Sequence, residues 1–110
     1  MNKNDSTHLS AQRLAQENMP AFIEMFNKKK NRCKFNISAP YTENGHTETM
    51  WFTVKSVEGD AFNTELNNVP LHIKGIKLGD KIKIQKDSVK DWIVSKHHKV
   101  IAGNFANEDL

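Results

Sequence analysis

The sequence predicts an α+β domain in which N-terminal helices, kinked or broken near Pro20, pack on a bent antiparallel sheet of five or six strands. Three observations predict it. Apolar residues recur at three- and four-residue steps from Ala11 to Phe26, the period changes to two from Cys33 onward, and Asn, Gly and Pro cut the remainder into short segments.

Taken in order, residues 1–9 are polar and are expected to form a disordered tail, leaving 10–110 as a single domain. Ala11, Ala15, Met19, Phe22 and Phe26 fall on one helical stripe, with Ser10 placed to cap its start. Pro20 lies inside this run. It disfavours helical geometry at Met19 and lacks a backbone donor, so one segment is expected near 10–18 and another near 20–29. The stripe of Met and Phe reads as core contact and not as a cofactor box.

Cys33, Phe35 and Ile37 alternate with Lys34, Asn36 and Ser38, as on a half-buried strand. Residues 39–47 read as a loop because they contain Pro40, Asn44 and Gly45. Met50, Phe52 and Val54 then share the core face of a strand, with Trp51 on the opposite side. Two readings of that side stay open: an exposed functional surface, or a face covered by the helices with Trp51 against Phe22 or Phe26. Gly59-Asp60 marks a hairpin into a strand near 61–66, which Pro70 should stop or confine to an edge. Leu78-Gly79-Asp80 launches Lys81 to Gln85, with Ile82 and Ile84 inward. Trp92 and Val94 share a face in the next strand, and Val100 to Ala102 return beside it, with Val100 or Ile101 expected to cover Trp92. The Lys96-His97-His98 connection lacks the Gly or Asn that two-residue turns favour.

A chain of 110 residues with 37% hydrophobic and 26% charged content is ordinary for a soluble globular domain, which argues against disorder. No apolar run approaches the roughly 18 residues of a membrane span, and the N-terminus has no secretory h-region, so a cytoplasmic setting is expected. The one cysteine, Cys33, has no disulfide partner, which fits a reducing compartment.

Charge is uneven. Lys28, Lys29, Lys30, Arg32 and Lys34 cluster without an acid among them, and residues 74–99 carry eight lysines against Asp80, Asp87 and Asp91. Residues 37–73 hold only Lys55 against Glu43, Glu48, Glu58, Asp60 and Glu65. Such asymmetry could steer an acidic partner or nucleic acid, but two solvated strand faces and a charged loop are the simpler reading.

Catalytic chemistry finds little purchase. The five histidines lack metal-ligand spacing, so no metal and no cofactor are expected. Cys33 sits in an alternating apolar set, and neither a nucleophile elbow nor a phosphate-cradling glycine loop occurs. Glu48, Asp80 and Asp91 are the carboxylates available for acid–base work, but Asp80 and Asp91 also suit turn capping through backbone N–H groups. The expectation is therefore a protein that is not an enzyme.

Four segments in order, Glu48-x-x-Trp51, Asn68-x-Pro70, Gly79-Asp80 and Asp91-Trp92, resemble the motifs Glu-x-x-Trp, Asn-x-Pro, Gly-Asp-x-Val and Asp-Trp of the YegJ-like bacterial domains, domain-of-unknown-function family 2314. That resemblance covers most of the chain and implies a fold family with no settled activity. It is similar in size and context to small bacterial immunity proteins, which implies a non-enzymatic domain acting through a protein partner. On this reading Glu48, Trp51, Asn68 and Asp91 are the partner-binding candidates, Trp51 being the natural interface anchor. The excess of lysine argues against a nuclease toxin as target. The alternative is a single-stranded nucleic-acid-binding module in which Lys81, Lys83 and Lys86 contact phosphates beside Trp51.

Overall fold

The computed structural model describes residues 3–107, with side chains from Ser10 to Ala106. The expected tail, residues 1–9, falls outside the residues whose side chains are described. Helix α1 spans Lys3–Glu17 and helix α2 spans Met19–Lys29. Ser10 therefore lies within α1 and does not cap it. Asn18 alone separates the helices, donating its N–H to the Leu14 carbonyl (3.0 Å) and accepting from Phe22 N–H (3.1 Å). Pro20 occupies the first turn of α2, where a missing N–H costs least. All five residues of the predicted stripe, Ala11, Ala15, Met19, Phe22 and Phe26, are buried.

Six antiparallel strands follow: β1 Lys34–Glu43, β2 His46–Glu58, β3 Ala61–Leu66, β4 Lys81–Gln85, β5 Asp91–Lys96 and β6 Lys99–Gly103. They form one sheet in the order β4-β3-β2-β1-β5-β6. The helices lie on one face of it. Phe22 is the hub, packing edge-on against Phe35 (5.6 Å) and Phe62 (5.7 Å) and tilted against Trp92 (5.0 Å). Met50, Phe52, Val54 and Val94 complete the same core, as their two-residue period predicts.

The segment 39–47 is not a loop. Strand β1 runs through Pro40 to Glu43, and Asn44-Gly45 alone turns the chain into β2. Both turn residues have positive φ, 51° and 81°, the conformation that Asn-Gly favours in a two-residue hairpin. Pro40 is tolerated because of where its nitrogen faces. The Ser38 carbonyl bonds toward β5, to Lys90 N–H, so by strand alternation Pro40 faces that side too. The β1–β5 ladder ends at Ser38↔Asp91, and no ladder bond is lost.

Trp92 is covered differently from expectation. A register shift between Val94 and Ser95 pairs Val94 with Ala102 and Ser95 with Val100, leaving Ile101 as the extra residue of a bulge. Val100 and Ile101 are consequently 50% and 48% exposed on an edge strand. Phe105 supplies the missing cover, edge-on to the Trp92 ring at 5.2 Å. Gly103, at φ 83°, sits so close to that ring that a Cβ would collide with it.

The β5–β6 turn is built from His97 and His98, with φ of 51° and 66°. Left-handed geometry at two residues carrying a Cβ is unfavourable, and Asn-Gly suits it better. The double substitution His97→Asn, His98→Gly is expected to stabilise the protein by about 1 kcal/mol, read as a higher urea midpoint. A lower midpoint would contradict this reading of the turn.

Candidate functional site

The motif residues converge on the connections between strands, and each does so by accepting backbone N–H groups. After β3 the chain crosses residues 67–80 without regular structure before entering β4. Where β3 stops, Asn67 N–H donates to the Trp51 carbonyl (2.9 Å), and Trp51 N–H donates to the Asn68 side-chain oxygen. The two asparagines thus continue the β2 edge after its partner strand has ended.

Glu48 then holds the next part of the loop. Its carboxylate accepts from Leu71 N–H at 2.7 Å, His72 N–H at 3.0 Å and Ile73 N–H at 3.2 Å. These bonds, from Leu71 first, keep its pKa below the usual glutamate range against a smaller opposing effect of desolvation. A lowered pKa contributes stability above the ordinary glutamate range, and that contribution is lost as the pH falls through the lowered value. Glu43 accepts from Gly75 N–H (2.9 Å), and Asp80 accepts from Lys77 N–H (3.0 Å). Glu48 shares its strand parity with Met50 and Phe52, so the loop it holds closes the end of the core, with Ile73 buried and Ile76 packed against the apolar cluster. Three large apolar side chains of the loop face out. Val69 is 70% exposed, Leu71 81% and Leu78 57%.

Asp91 performs the same task at the other end of the sheet. It is 4% exposed. One carboxylate oxygen accepts from Trp92 N–H (2.8 Å) and Phe105 N–H (3.1 Å), the other from Ala106 N–H (3.2 Å), which anchors the 3-10 turn Phe105–Asn107.

Trp51 is half-buried on the face opposite the helical core, level with Ser38 and Asp91 across the strands. Phe22 and Phe26 belong to the other face, which excludes the packing of Trp51 against them. Helix α1 nevertheless reaches its neighbourhood: Ala11 and Gln12 line a cavity of about 440 Å³ together with Trp51, Thr49, Lys90 and Asp91. Glu48 does not line it, so Glu48 and Asp91 form no carboxylate pair there.

The three lysines do not share one groove. Lys81 and Lys83 lie on the exposed face of β4, interleaved with acids: Lys83 pairs with Glu58 (3.1 Å), and Lys55 with Glu65 (3.8 Å) beside Lys81. Lys86 leaves the strand in the 3-10 turn Lys86–Ser88 and borders a separate cavity with Met19 and Ile23 of α2. Among the described residues no group of three His, Cys, Asp or Glu side chains is placed to hold a metal, and no helix is long and apolar enough to cross a membrane.

Sequence reasoning missed Glu43 and Gln16. The Gln16 amide ties α1 to the β4–β5 connection through the carbonyls of Lys86 (3.0 Å) and Val89 (2.7 Å). Neither residue carries a local signal, because both partners lie far along the chain.

The site thus defines an α+β domain whose acidic and amide motif residues brace its own loops. The chain belongs to the family described as an uncharacterized protein conserved in bacteria, domain of unknown function 2314, which it matches over residues 5–108. It is similar to the uncharacterized protein YegJ of Escherichia coli (strain K12), 30% identical over 89 residues that make up 81% of this chain and 58% of that protein. The match thus spans little more than half the length of that relative. No solved structure matches.

Proposed function

We propose that the domain works by binding a protein partner, without catalysing a reaction, and that the connection 67–80 is the surface it presents. The observation that carries this reading is the combination of Val69 and Leu71, 70% and 81% exposed, with three consecutive backbone donors at 71–73 fixed by Glu48. Large apolar side chains gain by leaving water, and a loop already held in place loses less conformational freedom when a partner closes on it. Glu48 and Asn68 shape this surface, while Trp51 lies beneath its start through the Asn67 and Asn68 bonds. Asp91 braces the opposite end. An acid–base reading is less well supported, because the carboxylates of Glu48 and Asp91 are spent on backbone N–H groups. In its narrower form the proposal makes the partner a toxin neutralised by occlusion, as the resemblance to small immunity proteins implies.

The test uses tagged protein captured from its native bacterium, with mass spectrometry of bound protein and nucleic acid. The variant Val69→Asp, Leu71→Asp is expected to keep its unfolding free energy in urea within about 0.5 kcal/mol of the parent and to lose the partner. Lys81→Glu, Lys83→Glu, on the β4 face, should keep it. Recovery of the same proteins by the folded loop variant would refute the proposal, and loss of bound nucleic acid by the lysine variant would favour the nucleic-acid alternative.

A further inference from the structure

We infer that the pole where α2 leads into β1 and β5 turns into β6 binds a phosphorylated ligand of nucleotide size. Register brings the two segments together: Lys34 lies opposite Ser95, and the His97-His98 turn follows directly. Arg32, Lys34, Ser95, Lys96, His97 and His98 line a cavity of about 290 Å³ that has no carboxylate among its lining residues. Arg32, Lys34 and Lys96 have no ion pair among the described residues. This differs from the β4 face, where lysines alternate with paired glutamates. Lysine and arginine side chains only donate hydrogen bonds, so the wall offers donors and positive charge to an oxyanion.

A second cavity adjoins the first, sharing Arg32 and Lys34, with a volume of about 710 Å³. Phe26, Phe35 and Leu66 contribute to its lining, and Asn36, Thr53 and Asn67 supply polar groups. The Asn36 side-chain oxygen accepts from the Thr53 hydroxyl (2.7 Å) and the Asn67 side-chain amide (3.4 Å), leaving the Asn36 NH2 group as a donor. The lining mixes these with further charged side chains, Lys30, Lys55 and the Glu65 that pairs with Lys55, and the volume lies within the roughly 300 to 1,000 Å³ usual for a small-molecule site. The phosphate belongs in the basic cavity, and a heterocycle with its sugar in the larger one, with Arg32 and Lys34 at the junction. The larger cavity borders the two ends of the connection 67–80 through Asn67, Leu78 and Gly79 but not Val69 or Leu71, and the inference does not depend on the partner contacts proposed there.

Cys33, the only cysteine in the chain, lines the larger cavity and is partly exposed, so its rate of labelling by a thiol reagent reports occupancy. Rates are measured at matched ionic strength in sodium chloride, inorganic phosphate, adenosine 5′-monophosphate and a single-stranded oligonucleotide. Adenosine monophosphate is expected to slow labelling saturably, with a midpoint about tenfold or more below that of inorganic phosphate. Arg32→Ala, Lys34→Ala should raise that midpoint about tenfold, with protection scored against the variant's own ligand-free rate because both side chains flank the Cys33 thiol, and Lys81→Ala, Lys83→Ala should leave the parent's midpoint and ligand-free rate unchanged. Protection by an oligonucleotide with a midpoint per strand end like that of the mononucleotide would identify the terminal nucleotide of a strand as a source of the same ligand. The inference is overturned if labelling follows ionic strength alone, or if the Arg32, Lys34 variant is protected like the parent. It is also overturned if the oligonucleotide binds about a hundredfold tighter with a steep salt dependence, since the pole would then be an extended polyanion surface.

Discussion

Trp92→Ala is expected to cost about 3 to 5 kcal/mol, a large fraction of the roughly 5 to 15 kcal/mol that holds a domain folded, and to lower the urea midpoint accordingly or unfold the protein. The indole is 2% exposed. Its ring meets Phe22 on the helical side at 5.0 Å and Phe105 at 5.2 Å, so its loss opens a cavity that both the helices and the C-terminal turn border. Its Nε1–H donates to the Ala15 carbonyl at 3.1 Å, a bond that ties α1 to the sheet. Trp92→Phe should retain part of the packing and lose that bond, for a cost of about 1 to 3 kcal/mol. Trp51→Ala, at a half-buried site outside the helical core, should cost only about 1 to 2 kcal/mol. Equal midpoints for Trp51→Ala and Trp92→Ala would show that the two sheet faces have been misjudged.

Asp91→Ala is expected to cost about 2 to 4 kcal/mol, because a buried charged acceptor is removed from three backbone donors at once. Two of those donors, on Phe105 and Ala106, hold the turn that carries the Phe105 ring onto Trp92. The damage should therefore appear first as faster amide exchange at Phe105 and Ala106, ahead of β1 and β2. Asp91→Asn keeps one carbonyl oxygen and should recover part of the loss. An Asp91→Ala protein as stable as the parent would mean that the carboxylate is not the anchor.

The helical stripe and the core faces of the strands were legible because each rests on a local period. Ala11 to Phe26, Met50 to Val54, and Trp92 with Val94 are buried as their spacing requires. Proline and bulges broke that legibility. Pro40 reads as a loop residue unless the end of the β1–β5 ladder is known, and the shift at Val94/Ser95 turned Val100 and Ile101 outward. The site was legible in a different degree. Asp80 could be read as a turn cap because its partner Lys77 is three residues away, whereas Glu48 reaches Leu71 across 23 residues. A carboxylate that serves a distant backbone leaves no periodicity behind, so Glu48 and Asn68 could be singled out as motif residues but not placed.

The claim on which the account turns is that the motif carboxylates hold the loop and not a substrate. Amide hydrogen exchange of the parent and of Glu48→Gln tests it most directly. The variant keeps the side-chain length and one acceptor oxygen but removes the charge that serves three donors. The account predicts faster exchange at Leu71, His72 and Ile73, with β1, β2 and β5 exchanging as in the parent. Unchanged exchange at 71–73 in the folded variant would contradict it, and with it the reason for regarding Val69 and Leu71 as a prearranged binding surface.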